Sequence, residues 1–182
     1  GAPTDMTSFS GQLVNFIHAA SGQCKGAVAV SSYLLTLNYY IVKEFGSKWY
    51  EKLDVVYTNE HCIKQQTIWD KIRKAFKTFV YGINQKAGNR GGQSPFTNIS
   101  YFDHTYFEGM FGSFYYPDGT KPEWEAVDKL QRLFMKWFNE RRLKSVLTFP
   151  VETFCMVHNG KDIVDKEYKD LCAEMYSEGH SF

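Results

Sequence analysis

The residues best suited to chemistry lie in three short stretches of the 182-residue chain. The loop Gly88-Asn89-Arg90-Gly91-Gly92-Gln93 combines three glycines with a guanidinium fork and an amide. Exposed backbone N–H groups beside such a fork can cradle a phosphate or a carboxylate. No Gly-Lys-Ser/Thr follows, and the loop precedes a strand pattern, so it is not a mononucleotide-binding P-loop. A helix C-cap and turn would account for the same glycines. The second stretch is Ser21-Gly22-Gln23-Cys24-Lys25-Gly26. With Gly26 opening a helix, its free N–H groups would attract an anion, and Gln23 and Lys25 could read a phosphate or a base. A helix kink with a snorkelling lysine is the alternative. The third, Thr148-Phe149-Pro150-Val151-Glu152-Thr153, sets a carboxylate and a hydroxyl just beyond a strand end, where α/β proteins bind ligands. A strand terminator with a solvated Glu152 fits the same residues.

Other chemistries find no support. Cys24, Cys62, Cys155 and Cys172 form no CxxC pair, which argues against a zinc site and against a dense disulfide framework. His18, His61, His104, His158 and His180 show no HExxH pattern. Glu123 and Glu125 read as an ordinary acidic helix start. With 21 Lys+Arg against 20 Asp+Glu the net charge is +1, which excludes a bulk nucleic-acid binder. No apolar run approaches the roughly 18–20 residues that span a bilayer, and no signal-peptide pattern opens the chain. The expectation is a cytoplasmic protein with reduced thiols, no nucleic-acid partner and no membrane. Hydrophobic residues at 43% and charged residues at 23% indicate a globular chain. Aromatic residues reach 17%, a payload that either fills a thick core or faces missing segments.

These stretches need elements to hold them. Phe9, Leu13, Phe16, Ile17 and Ala20 recur at helical spacing from Ser8 to about Ala20. A second apolar helix is expected from Ala27 to Glu44, with Ser31 and Ser32 in its first turns, followed by a connection over 46–60. A third, about Ile63 to Ile83, carries the stripe Ile68, Ile72, Phe76, Phe79 and Ile83. Ser94–Phe102 reads as a strand, Met110–Tyr116 as another, and Pro117-Asp118-Gly119-Thr120 as a turn. A helix from Pro122 to Arg141-Arg142, strands over Lys144–Val151 and Thr153–Val157, a turn at Asn159-Gly160 and a helix over Val164–Tyr176 complete the chain. Residues 1–84 are thus mainly helical and 85–182 alternate strand and helix within one segment, an α/β class.

Several of these strings together resemble a known family. Asn89-Arg90-Gly91-Gly92-Gln93-Ser94-Pro95-Phe96-Thr97-Asn98 is similar to the RGGQxPFxN segment of the class III (anaerobic) ribonucleotide reductases. Leu147–Thr153 resembles their FPxxT strand, and Ser21–Ala29 their xxQxxGAxA region. Tyr106–Gly112 and Phe134–Asn139 also fit, in the same order and with similar spacing.

The resemblance implies part of a ten-stranded α/β barrel of the glycyl-radical type, with long flanking helices. It implies an enzyme that reduces ribonucleoside triphosphates to deoxyribonucleotides by glycyl and thiyl radical chemistry. A glycyl radical made by an iron–sulfur S-adenosylmethionine activase, a formate or thiol reductant, ATP or deoxynucleotide effectors and a zinc site belong to the whole enzyme. This chain holds neither a Cys-Arg-Leu finger-loop motif nor an Arg-x-Cys-Gly-Tyr motif. It is therefore expected to bind none of these cofactors and to carry no catalytic or metal residue of its own. The expected partners are the remaining segments of the reductase, a second copy of the whole enzyme, the activase and nucleotides. By the same resemblance, Arg90, Gln93, Ser94, Asn98, Glu152 and Thr153 are assigned to substrate, and His18, Gln23 and Lys25 to effector or dimer contacts. A non-catalytic nucleotide-binding or scaffolding module built on that fold is the alternative.

Overall fold

A computed structural model describes residues 1–24, 26–57, 65–88 and 91–180. Helix α1 (Met6–Ser21) starts where Asp5 accepts hydrogen bonds from the Thr7 and Ser8 backbone, while Ser8 reaches back to the cap. Helix α3 (Ile68–Ile83) starts the same way on Thr67 and Asp70. Its Ile68, Ile72, Phe76, Phe79 and Ile83 stripe is buried, as the periodicity indicates. The two helices cross closely because Gly82 has no side chain. A Cβ there would stand 2.7 Å and 2.8 Å from the two Val14 methyls.

Three strands, β1 (Val28–Ala29), β4 (Thr97–Phe102) and β5 (Val151–Cys155), form a parallel sheet in the order β1-β4-β5. Two further two-residue strands, β2 (Val56–Tyr57) and β3 (Gln66–Thr67), pair antiparallel ahead of α3. The other helices are α2 (Tyr33–Phe45), α4 (His104–Phe111), α5 (Trp124–Arg142) and α6 (Lys166–Ser177). Residues from α1, α2, α3, α5 and α6 join Ile99 and Tyr101 of β4 in one apolar core. The high aromatic content goes largely into that core. Tyr33 stacks on Phe79 with ring centroids 3.9 Å apart, and Phe76 meets Phe134 edge-on at 4.9 Å.

Four sequence expectations need correction. The helix expected over Ala27–Glu44 begins only at Tyr33, because Val28 and Val30 donate to the Phe96 and Asn98 carbonyls at 2.8 and 2.9 Å. Gly26 therefore precedes a strand rather than opening a helix. The strand expected over Met110–Tyr116 is instead the end of α4 and a turn, since buried Asp103 caps a helix at His104. The strand expected over Lys144–Val151 does not form. The Thr148 and Phe149 amides donate to Asn84 Oδ1 at 3.0 and 3.1 Å, and pairing with β4 begins at Val151. The start of the third helix moves from Ile63 to Ile68, because Gln66 and Thr67 pair with β2; residues 63 and 64 lie outside the described residues.

Candidate functional site

Register decides which strand residues share a face. In parallel pairing Asn98 stands opposite Val151, Ser100 opposite Thr153 and Phe102 opposite Cys155. These alternate with Ile99–Glu152 and Tyr101–Phe154, which look into the helical core. The first set lies on the face away from that core. There the Asn98 amide donates to Thr153 Oγ1 at 2.7 Å, with Thr153 exposed.

Along this face, at the C-terminal ends of the strands, lies a cavity of about 490 Å3. Ala29, Ser100, Phe102 and Cys155 form its floor. Phe9 and Leu13 of α1 wall one side, and Tyr106 and Met110 of α4 the other. Ser31 and Ser32 border it where α2 begins. Both are exposed, and the Ser32 hydroxyl makes no cap hydrogen bond. Hydroxyls and first-turn N–H groups at a helix start suit an anionic or polyhydroxylated ligand. Burial pushes the Cys155 thiol up; hydrogen bonds with Ser100 and Tyr106 act against that rise.

Buried polar side chains hold the cavity rim. Asp103 takes the Tyr106 amide at 2.6 Å and the Val157 amide at 2.8 Å, and its own N–H donates to the Cys155 carbonyl at 3.0 Å. One carboxylate thus joins the exits of β4 and β5 to the start of α4. Gln131 of α5 clamps the last residue of β4, accepting from Phe102 N at 2.8 Å and donating to its carbonyl at 3.2 Å.

The residues singled out from sequence scatter across the sheet. Asn98 and Thr153 meet on the open face. Gln93 and Ser94 sit at the N-terminal end of β4, the end opposite the cavity. There Ser94 Oγ donates to the Asn84 carbonyl at 3.0 Å, and the Gln93 carbonyl accepts from Ala87 N at 2.9 Å. Glu152 faces the helices and is 1% exposed. Tyr101 donates to its Oε1, and Arg142 Nη1 stands 3.0 Å from its Oε2. Desolvation pushes the carboxyl up to about 7, against the pull of Tyr101 and Arg142. A ligand on the open face cannot reach Glu152 in this arrangement. His18 Nε2 lies 3.0 Å from the Gly82 carbonyl, tying α1 to α3, and Gln23 is exposed past the end of α1. Arg90 and Lys25 lie outside the described residues.

Sequence reasoning missed Ser31, Ser32, Ser100, Tyr106 and Cys155 as neighbours. The signal was the triplet Val28-Ala29-Val30 before Ser31-Ser32, which reads equally as a strand entering a helix start. Among the described residues no group of three His, Cys, Asp or Glu side chains could hold a metal, and no helix is long and apolar enough to cross a membrane.

A family model for anaerobic ribonucleoside-triphosphate reductase matches residues 1–180. The chain belongs to that family. Solved anaerobic ribonucleotide reductases share its α/β fold. A Thermotoga maritima structure with citrate in the active site is 23% identical, with a TM-score of 0.80 over 97% of this chain and 29% of that one. The same organism's enzyme in complex with dATP and CTP is 22% identical, with a TM-score of 0.79 over 97% and 27%. A further anaerobic ribonucleotide reductase is 21% identical, with a TM-score of 0.77 over 98% and 26%. This reductase-family chain thus spans under a third of the length of the structures it resembles. No curated protein matches it.

Proposed function

We propose that the chain supplies part of the catalytic barrel of an anaerobic ribonucleotide reductase that converts ribonucleoside triphosphates to deoxyribonucleotides by radical chemistry. The observation that carries this reading is the two-faced parallel sheet. One face is sealed by helices, and the other carries Asn98, Ser100, Thr153 and Cys155 beside a cavity at the strand ends. A barrel assembled from such strands turns that face inward, and further strands would extend the sheet from β1 and β5 toward the ten expected. The family membership and the shared fold support the assignment.

In this reading the Asn98 amide and the Thr153, Ser31 and Ser32 hydroxyls bind and orient the nucleotide. The apolar walls from α1 and α4 exclude water, which a radical intermediate requires. The radical-bearing cysteine and glycine come from complementary segments. The experiment is co-expression of this chain with those segments and the activase under strict anoxia, with deoxynucleotide formation measured. An assembled, glycyl-radical-bearing complex that forms no deoxynucleotide would refute the proposal.

A further inference from the structure

The chain has one Asn-Gly dipeptide, Asn159-Gly160, in the loop that joins β5 to α6. The loop is closed at its base, where Val164 N donates to the Val157 carbonyl at 2.8 Å and His158 bridges to Ile163. Nearer its tip the Asn159 amide donates to the Asp162 carbonyl at 3.1 Å. Three further hydrogen bonds converge on the dipeptide. Gly160 N donates to His158 Nδ1 at 2.9 Å, and the Lys161 and Asp162 amides both donate to Asn159 Oδ1 at 3.0 Å. A backbone N–H can only donate, so His158 Nδ1 is the unprotonated ring nitrogen. The residues from His158 to Lys161 are all exposed, so water reaches them.

An asparagine side chain and the next backbone nitrogen can close a five-membered imide, and each part of that reaction finds a group here. The nucleophile is Gly160 N. Its proton lies in the peptide plane and is directed to an imidazole within reach of a general base. The π electrons of the nitrogen, above and below that plane, stay free for Asn159 Cγ. The electrophile is the Asn159 side-chain carbonyl. Its oxygen accepts two backbone N–H groups, which stabilise negative charge as it develops there. Gly160, at φ +91°, brings no Cβ to crowd the approach. An asparagine turn accounts for the two bonds to Oδ1. It does not call for a basic ring nitrogen on the N–H of Gly160, which is what the chemistry requires.

We propose that Asn159 is a self-modification site, deamidated within the loop with His158 as the base. His158 Nδ1 takes the Gly160 proton as the bond from Gly160 N to Asn159 Cγ forms. The Cγ–Nδ2 bond then breaks, and the imidazolium returns the proton to the leaving nitrogen, which departs as ammonia. Water opens the imide, at Cγ to give aspartate or at the main-chain carbonyl to give iso-aspartate. The net reaction consumes one water, releases one ammonia and needs no oxidant or reductant. Either product sets a new carboxylate three residues from Asp162, which already pairs with Lys166 and Lys169 at the start of α6. The site does not depend on the reductase reading. The test incubates the 182-residue chain, its His158→Ala variant and a synthetic peptide of residues 155–165 in the same neutral buffer. Peptide mass spectrometry follows the gain of one mass unit at Asn159, and chromatography separates aspartate from iso-aspartate. The peptide carries the same His-Asn-Gly string without the fixed loop, so it reports the rate that the sequence alone allows. The folded chain should convert faster than the peptide, and His158→Ala should slow the folded chain about threefold or more. Circular dichroism checks that the variant folds, and His158→Phe, which keeps a ring, takes its place if it does not. A folded chain that converts no faster than the peptide overturns the proposal. So does a folded His158 variant slowed by less than about threefold.

Discussion

Glu152 sits on the sealed face of the sheet, one residue from the groups assigned to the nucleotide, and its environment makes a quantitative prediction. The carboxyl is 1% exposed, and burial outweighs the Tyr101 hydrogen bond and the Arg142 charge, so it titrates near 7 in the fold against 4.5 as the reference value. The folded state then holds its proton more tightly than the unfolded chain does. Below pH 4.5 both states are protonated and this contribution to stability is complete. Between 4.5 and 7 the unfolded chain ionises while the fold resists, so stability falls as pH rises. Above 7 both states are ionised and the loss levels off at about 3 kcal/mol. Glu152→Gln keeps the shape and removes the titration, and Arg142, 29% exposed, can turn to solvent. Urea unfolding of both proteins from pH 4.5 to 8 isolates the effect, because the other titrating groups cancel in the difference. The Gln variant should gain about 3 kcal/mol on the parent across that range, which is roughly 6–12 °C in thermal midpoint for a chain of this size. A difference that stays flat with pH, or one in which the parent gains as pH rises, would refute the reasoning. Either result would mean that the ion pair with Arg142 outweighs burial.

Other perturbations separate packing from function. Gly82→Ala forces a methyl into Val14 where α1 crosses α3 and should cost about 1–3 kcal/mol in urea unfolding; a midpoint at or above that of the parent contradicts the close crossing. Asn84→Ala removes the acceptor for the Thr148 and Phe149 amides and the donor to the Val80 and Phe149 carbonyls. It should cost about 2–3 kcal/mol and speed hydrogen exchange at the Phe149 amide, so unchanged exchange there removes Asn84 as the clamp. Asn98→Ala touches an exposed pair on the open face. It should shift stability by less than about 0.5 kcal/mol while lowering turnover of the complemented reductase tenfold or more; the reverse pattern would make Asn98 a structural residue.

The long helices α1, α3 and α5 were legible because their signals are local, whereas the short α4 was not. Ile68, Ile72, Phe76, Phe79 and Ile83 repeat at helical period, and the Thr67–Asp70 cap marks the start that the sequence reading placed five residues early. The strands were less legible because parallel pairing is decided far away in sequence. Nothing within Lys144–Val151 reveals that Asn84, more than sixty residues earlier, takes up the amides of Thr148 and Phe149. Nothing near Val28 reveals the Phe96 and Asn98 carbonyls that turn a helical-looking run into β1. The same limit applied to the site. Family-like strings drew attention to Glu152 and Thr153 together, but neighbours on a strand face opposite ways, so at most one of them can serve a ligand on a given face. Asn98 and Thr153 met on the open face because the β4–β5 register sets Thr153 opposite Ser100, next in line to Asn98.

That alternation also bears on how the site keeps its shape. Thr153 can stay exposed at the cavity side only while its neighbours Glu152 and Phe154 are fixed on the other face. Glu152 is fixed by Tyr101 and Arg142, and Phe154 packs between Tyr101 and Tyr168 with ring centroids 5.3 Å from each. Sliding β5 by one residue would drive Thr153 into the aromatic core and Glu152 onto the open face, leaving Arg142 without its carboxylate. The buried ion pair does not hold the fold together at neutral pH and above, since desolvation outweighs the attraction. Its consequence is register, and register places Thr153 beside Asn98. Loss of Arg142 should therefore loosen the Asn98–Thr153 pair, although no atom of Arg142 lies on that face.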